Sequence, residues 1–286
     1  MDHFYIITNE KKDPGLEFTK QLMAFLEENG RKCTQINTKT DVEKNRLKKM
    51  PDPDHDCLLV IGGDGTVLRA AHLVIGSGVP ILGINLGTLG YLAEVEKTNW
   101  QQMLTLLLDG AYEIEPRMML EGRMMNKDGV SISEKVFYHA LNEAVIVRNS
   151  QLKTLNFSVY VDGHLLNTLD ADGVIVSTAT GSTAYNLSAG GPIVEPKAQL
   201  MLLTPICPHT LNTRSVVLSA EDSIVIELVR TTRNEQMNAN AVFDGGSTFH
   251  LSYGDRIEIR RSTKVTNLVK LTKRSFLSTL HKKLSS

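Results

Sequence analysis

Residues able to carry chemistry are concentrated in a glycine-rich stretch, Gly-Gly-Asp-Gly-Thr at positions 62–66. The continuous apolar run at 58–61 predicts a strand that is buried on both faces. The apolar pattern at 67–74 predicts a helix, for which Thr66 is the expected cap. Glycines let backbone N–H groups approach phosphate oxygens, and a helix N-terminus adds partial positive charge. The stretch is therefore predicted to bind phosphate at the carboxyl end of its strand.

Asp64 is the unusual residue of this stretch, because a carboxylate repels phosphate. It makes chemical sense if it takes a proton from an attacking hydroxyl or helps to hold a phosphate-bound metal. The alternative is structural: a strand–loop–helix turn in which the aspartate only caps the helix.

Two further stretches, in the second part of the chain, go beyond core patterning. Asn142 and Glu143 open a predicted strand and offer donors and acceptors suited to a ribose diol, although a solvated strand end has the same pattern. Residues 172–192 run from a buried strand into small hydroxyl residues and a lone Tyr185, which could pack on a purine ring. The alternative for this second stretch is a helix cap rich in Ser and Thr.

The elements that must position these residues follow two patterns. In the first part, apolar strands at 4–7, 58–61 and 79–84 alternate with helical patterns at 16–29 and 100–108. This alternation predicts an α/β domain, a parallel sheet with helices on its faces.

The second part consists of short alternating or β-branched stretches separated by turn residues, as at 157–161 and 173–177. This pattern is typical of all-β structure. The sequence therefore predicts an α/β domain at 1–111 and a β-rich domain at 112–270, followed by a helical tail at 271–286.

Composition excludes several classes of function. The 286 residues are enough for two modest domains or one large one, and a content of 42% hydrophobic and 22% charged residues is typical of a globular protein. A net charge of −1 argues against nucleic-acid binding. The three scattered cysteines fit neither a disulfide framework nor a zinc site and suit a reducing cytosol, so a cytoplasmic location is expected. No signal peptide and no apolar run of membrane-spanning length are found.

Taken together, the motifs resemble one enzyme family. The string at 62–66 occurs in several kinases, including phosphofructokinases and the diacylglycerol and sphingosine kinases. With Asn142-Glu143, Thr-Gly-Ser-Thr-Ala-Tyr at 180–185 and Thr-Pro-Ile-Cys-Pro-His at 204–209, the sequence resembles the ATP/polyphosphate-dependent NAD kinases over nearly its whole length. The resemblance implies phosphoryl transfer from ATP to the 2′-hydroxyl of the adenosine ribose of NAD, which gives NADP. It also implies a two-domain fold whose tail packs back on the first domain.

The same resemblance implies roles for individual residues. Asp64 would be the general base or would orient the ribose hydroxyl, and Asp172 would accept a hydrogen bond from the nicotinamide amide. Arg69 would be a charge partner for the diphosphate, unless it is simply a surface arginine. The remaining candidates would contact the nucleotides. The phosphates would be bound by Gly62, Gly63, Gly65 and Thr66, and the ribose and adenine by Asn142 and Glu143. The adenine and nicotinamide pockets would be lined by Thr183, Ala184, Tyr185 and Ser188, and the dinucleotide would also contact Lys153 and Asp170.

Mg²⁺ is expected to travel with the ATP phosphates, because the sequence contains no dedicated metal cage. By resemblance, polyphosphate is a possible second donor, NADPH a feedback inhibitor, and the assembly a homodimer or homotetramer. The sequence departs from the family pattern in having Ala179 where proline is usual and Asp170 at a variable position, and in lacking a polar third residue in the Asp-Gly-Gly turn at 244–246.

Two other functions remain open at this point. A lipid or sugar kinase would share only the glycine motif and would leave 180–185 unexplained. A non-catalytic NAD-binding regulator would not need the carboxylate of Asp64.

Overall fold

The computed structural model describes residues 1–37, 52–87, 90–125, 137–149, 154–209, 213–229, 238–272 and 275–285. The chain forms two compact units, one of Met1–Arg117 with Lys264–Ser286 and one of Met118–Thr263. Within the described residues, no helix is long and apolar enough to cross a membrane.

The strands and helices are numbered in chain order. The strands are β1 (His3–Thr8), β2 (Lys32–Gln35), β3 (Asp56–Gly62), β4 (Ile81–Asn85), β5 (Val95–Glu96), β6 (Glu113–Met125), β7 (Tyr138–Ala140), β8 (Glu143–Arg148), β9 (Leu155–Val161), β10 (His164–Ala171), β11 (Gly173–Thr178), β12 (Leu200–Ile206), β13 (Val216–Ser219), β14 (Ile224–Val229), β15 (Ala239–Phe243), β16 (Ser247–Leu251) and β17 (Arg256–Lys270). The helices are α1 (Glu17–Glu28), α2 (Asp64–Leu73), α3 (Trp100–Leu108), α4 (Tyr185–Ser188) and α5 (Phe276–Leu284).

The first unit contains the predicted parallel sheet. Its strands lie in the order β2-β1-β3-β4, and each neighbouring pair is parallel. All seven residues of β3 are buried, as its continuous apolar run predicts. Helix α1 buries Phe18, Leu22 and Leu26, and the rings of Phe18 and Phe25 meet Trp100 of α3 edge to face. The predicted α/β architecture is confirmed.

The second unit is rich in antiparallel strands, as predicted. Six of them form a sheet in the order β13-β12-β11-β8-β15-β16, and β10, β9, β14 and the first part of β17 pair in a second group. Alternating apolar residues from both groups supply a core that includes Phe157, Val176 and Phe243. Strand β11 is buried throughout, which places the residues that follow it on a rigid support.

Strand β17 is longer than the sequence pattern indicated. Apolar residues alternate with charged ones at 256–260, whereas the strand continues to Lys270 and pairs in parallel with β4 at Leu268. Its middle part buries Ser262 and Thr266 in place of apolar residues. Three exposed residues at 263–265 separate them, so neither apolar residues nor regular alternation mark this part of the strand in the sequence.

Candidate active site

The glycine motif forms the junction between β3 and α2. Strand β3 ends at Gly62, Gly63 precedes the helix, and α2 begins at Asp64. The predicted cap is wrong: Thr66 lies inside the first turn, and no side chain caps the helix. Thr66 is instead buried against Gly62, where a Cβ atom would lie 2.4 Å from its hydroxyl oxygen. A bulkier residue at 62 would therefore separate the strand from the helix.

The carboxylate of Asp64 is fixed by backbone groups of a distant segment. Its Oδ2 accepts from the N–H of Tyr91 at 2.6 Å, and its Oδ1 accepts from Leu92 and Ala93 at 3.1 and 3.3 Å. These N–H groups fix the orientation of the carboxylate. A carboxylate offers about four acceptor positions, so about one remains on Oδ2.

Residues 90–93, in the segment that follows β4, hold this carboxylate. A Cβ atom on Gly90 would lie 1.9 Å from Oδ1 of Asp64, so only glycine allows the close approach. The side chain of Asn85, at the end of β4, accepts from the N–H of Gly87 at 3.0 Å and donates to its carbonyl oxygen at 3.2 Å. The types of these residues do not by themselves indicate that the segment holds Asp64.

Two cationic side chains lie beside the glycine motif. Arg69 donates to the hydroxyl of Thr66 at 3.4 Å, and its guanidinium lies 4.0 Å from the position of a Cβ on Gly65. The ammonium of Lys12 lies 2.8 Å from the equivalent position on Gly63. Nothing in the local sequence of Lys12 connects it to the motif, so its position is known only from the fold.

In the second unit, Asp244 organises the start of β8. Its carboxylate accepts from the N–H groups of Leu141, Asn142 and Glu143 at 2.6, 2.9 and 3.0 Å. Asp244 follows β15 with a φ of 48°, in the left-handed region that aspartate tolerates better than most residues. The Asn142–Glu143 pair is therefore rigidly placed and is not a frayed strand end.

Glu143 has an unusual electrostatic environment. The side chain is buried, and its Oε2 has no hydrogen-bond partner among the described residues. Burial, together with the negative charge of Asp244, raises the pKa of Glu143 to about 8, against the effect of a hydrogen bond from the N–H of Tyr185. At neutral pH this carboxyl therefore holds its proton and can donate as well as accept a hydrogen bond.

The small-residue stretch packs directly against Asn142. The carbonyl oxygen of Asn142 accepts from the N–H of Thr178 at 2.9 Å, and a Cβ atom on Gly181 would lie 2.2 Å from that oxygen. A tight turn at Thr180–Thr183 then leads into α4. The structure thus brings the Asn142–Glu143 pair and the 180–185 string together.

The candidates on and after this turn differ in exposure. Thr183 and Ala184 are partly buried, whereas Ser188 is exposed. Tyr185 has 42% of its residue surface exposed, so a base can reach its side chain and stack on the ring. Asn186 between them is fully buried and accepts from the hydroxyl of Thr204 at 2.7 Å, so it anchors the helix.

Asp172 lies at the other end of the β8–β11 pair from Glu143. Glu143 is opposite Ser177 and Val147 is opposite Gly173, so four residue steps, or about 14 Å, separate the two ends. The Asp172 carboxylate lies 3.3 Å from Nε of Arg148.

Asp170 and Lys153 are the two remaining candidates. Asp170 belongs to β10, and its Oδ1 is buried without a hydrogen-bond partner among the described residues. Lys153 lies outside the described residues.

Comparison with known proteins identifies the family. The model of the ATP-NAD kinase N-terminal domain matches residues 4–112, and that of the ATP-NAD kinase C-terminal domain matches residues 141–271. The chain belongs to the NAD kinase family. The NAD kinase of Lachnospira eligens is 40% identical over 300 residues, covering 99% of this chain and all of that protein. The NAD kinase of Agathobacter rectalis is 41% identical over 289 residues, covering 100% of this chain and 99% of that protein.

Solved NAD kinase structures have the same fold. Yeast NADH kinase complexed with NADH superimposes with a TM-score of 0.81 at 25% identity, covering all of this chain and 88% of that one. An NAD kinase from Archaeoglobus fulgidus in complex with ATP superimposes with a TM-score of 0.77 at 25% identity, covering 99% of this chain and 98% of that one. At Ala179, where the family usually has proline, the backbone has φ −58° and ψ −36°, so the chain adopts without proline a φ that proline imposes.

Proposed function

We propose that this NAD kinase family member transfers the γ-phosphoryl group of MgATP to the 2′-hydroxyl of the adenosine ribose of NAD. The products are NADP and ADP. The observation that carries the proposal is the match of both family domains along the chain, with the Asp64 carboxylate fixed inside the glycine motif.

The reaction needs little covalent chemistry from the protein. The 2′-oxygen forms a bond to the γ-phosphorus while the bond to the β–γ bridging oxygen breaks, and the hydroxyl loses its proton. The remaining acceptor position of Asp64 is suited to take or orient that proton. Because three N–H groups hold the carboxylate, it is already oriented before substrate arrives.

The residues of the second unit are suited to hold the dinucleotide. Glu143 can donate a hydrogen bond through its proton, and Asn142 offers both a donor and acceptors, which matches the two hydroxyls of a ribose. The exposed face of Tyr185 is suited to stack on the adenine. Asp172, one residue beyond Gly173 and so about 17 Å from Glu143 along the strand pair, is suited to the nicotinamide end of an extended dinucleotide.

The metal belongs to the substrate in this proposal. Within the described residues, no three His, Cys, Asp or Glu side chains are placed to hold a metal ion. Mg²⁺ would be bound by the triphosphate with water as its other ligands, where it would neutralise phosphate charge.

The test is incubation of the purified protein with Mg²⁺, ATP and NAD, followed by detection of NADP with an NADP-specific dehydrogenase. NADP formation supports the proposal. Binding of NAD without NADP formation would contradict it and would indicate a regulator. Parallel reactions with polyphosphate in place of ATP, with NADH in place of NAD and with added NADPH define the donor, the acceptor and feedback inhibition.

A further inference from the structure

The turn after β1 is attached to the glycine motif through Asn9. The N–H of Asn9 donates to the carbonyl oxygen of Ile61 at 2.8 Å, and its side-chain amide donates to the hydroxyl of Thr66 at 3.4 Å. The N–H of Lys12 in turn donates to the carbonyl oxygen of Asn9 at 2.9 Å. The backbone of Lys12 is therefore tied to both β3 and α2.

The other side of the turn is held by Asp13. Its buried carboxylate accepts from the N–H of Phe18 at 3.0 Å and from the N–H and hydroxyl of Thr19 at 2.9 and 2.6 Å. Lys12 thus lies between two anchored residues. Little backbone freedom is lost when its side chain binds a partner.

The ammonium of Lys12 extends over both glycine-rich turns. It lies 2.8 Å from the position of a Cβ on Gly63 and 3.4 Å from that on Gly87, and Oδ1 of Asn85 lies within 4.0 Å of both positions. The ion pairs between described residues do not include Lys12. A side chain at 63 would fill the space beneath this ammonium.

We propose that Lys12 binds the terminal phosphates of the phosphoryl donor at the glycine motif. The inference rests on the proposed function and names the part of the donor that is recognised, a triphosphate or polyphosphate chain. A lysine ammonium is a compact charge with three donors, suited to phosphate oxygens. It also stabilises the charge on the γ-phosphoryl group during transfer.

Lys12 and Arg69 have different surroundings in this arrangement. Arg69 lies along Gly65 and is hydrogen-bonded to Thr66, so it is partly engaged by the motif itself. Lys12 approaches from the side of Gly63 and Gly87. Among the described residues, none forms an ion pair with the ammonium of Lys12, so its donors are available for phosphate.

The test compares Lys12→Met and Lys12→Arg with Lys11→Met. Lys11 is a matched control, because it is the exposed neighbour and only its backbone N–H, which methionine keeps, is bonded to Asn9. We expect Lys12→Met to lower kcat/KM for ATP roughly 10- to 100-fold with an unchanged KM for NAD. Lys12→Arg recovers part of the loss, and Lys11→Met stays within about twofold of the wild type.

A second measurement identifies phosphate as the recognised group. Magnesium tripolyphosphate should compete with ATP in the wild type and compete roughly 10-fold more weakly in Lys12→Met. Unchanged kinetics for ATP, or an equal loss for ATP and NAD, would overturn the proposal. If the wild type forms no NADP, calorimetry of MgATP binding still tests Lys12, and equal affinity in Lys12→Met and the wild type overturns it.

Discussion

Asp64 and Asp244 make the same kind of hydrogen bonds to the backbone, one in each unit. Each carboxylate accepts three consecutive backbone N–H groups, those of 91–93 and of 141–143. Three converging N–H groups would be costly if left unpaired in a folded chain. Each aspartate therefore has a structural task, and any chemical task of Asp64 has to be separated from it.

Replacing Asp64 with asparagine tests its chemical task. The variant places an amide N–H₂ where one carboxylate oxygen accepted, so unfolding should cost about 1–3 kcal/mol less. We expect kcat to fall at least about 100-fold while NAD still binds, because the proton acceptor is lost.

The matched control is Asp244→Asn, which loses the same kind of backbone contact outside the glycine motif. It should raise the KM for NAD more than it lowers kcat. Melting temperature, NAD binding and initial rates are measured on both variants. A near-normal kcat for Asp64→Asn would remove Asp64 from the mechanism.

Glu143 should make stability depend on pH. The folded state holds its proton up to about pH 8, whereas the ordinary pKa is 4.5. The free energy of unfolding therefore falls as pH rises between these values, by up to roughly 1.4 kcal/mol per pH unit. Glu143→Gln should flatten this decline in thermal melts from pH 5 to 8.

Glu195→Gln is the control for that experiment, because it removes the same charge at an exposed position. It should leave the pH dependence as in the wild type. An equal slope in Glu143→Gln and the wild type would mean that Glu143 is ionised in the folded protein at neutral pH.

At the scale of elements, α5 supports the segment that holds Asp64. The ring of Phe276 lies 6.1 Å from that of Tyr91, and the ammonium of Lys283 lies 4.4 Å above the Tyr91 ring. Tyr91 donates the shortest of the three hydrogen bonds to Asp64. Packing at the last helix is thereby connected to the orientation of the carboxylate.

Phe276→Ala should loosen this support. We expect unfolding to cost about 1–3 kcal/mol less and kcat to fall several-fold, with the KM for NAD unchanged. Leu277→Ala is the control on the same helix, since Leu277 is 66% exposed. Chemical denaturation and initial rates measure both effects, and identical behaviour of the two variants would show that α5 does not position Asp64.

At the scale of the whole molecule, the net charge of −1 gives no overall attraction for an anionic substrate. Attraction for a triphosphate must come from local groups, and Lys12 and Arg69 are the cations placed beside the glycine motif among the described residues. The fold thus places two positive side chains beside the glycine motif, although the chain as a whole has a net charge of −1.

The homodimer or homotetramer implied by the resemblance stays a prediction. Light scattering on the purified protein should give a mass of two or four times 31.6 kDa. A single-chain mass across the concentrations used for the assay would contradict it.

The sequence by itself determined the order and type of most elements and the motifs that identify the family. Buried strands, amphipathic helices and glycine turns are local patterns, so the parallel sheet, the antiparallel second unit and the motif at 62–66 could be read from spacing. Thr66 was misread, because a hydroxyl near a helix start is a cap only if the backbone turns there. The middle of β17 has no apolar alternation, because the residues buried there are Ser262 and Thr266.

Only the tertiary structure decided which distant groups meet. The contact of Asp64 with Gly90 and Tyr91, the anchoring of 141–143 by Asp244, and the position of Lys12 over Gly63 join segments with no shared pattern. The raised pKa of Glu143 likewise depends on burial and on a carboxylate from another strand. Local spacing records which face of an element is buried, but close approach of two backbones depends on how the elements pack.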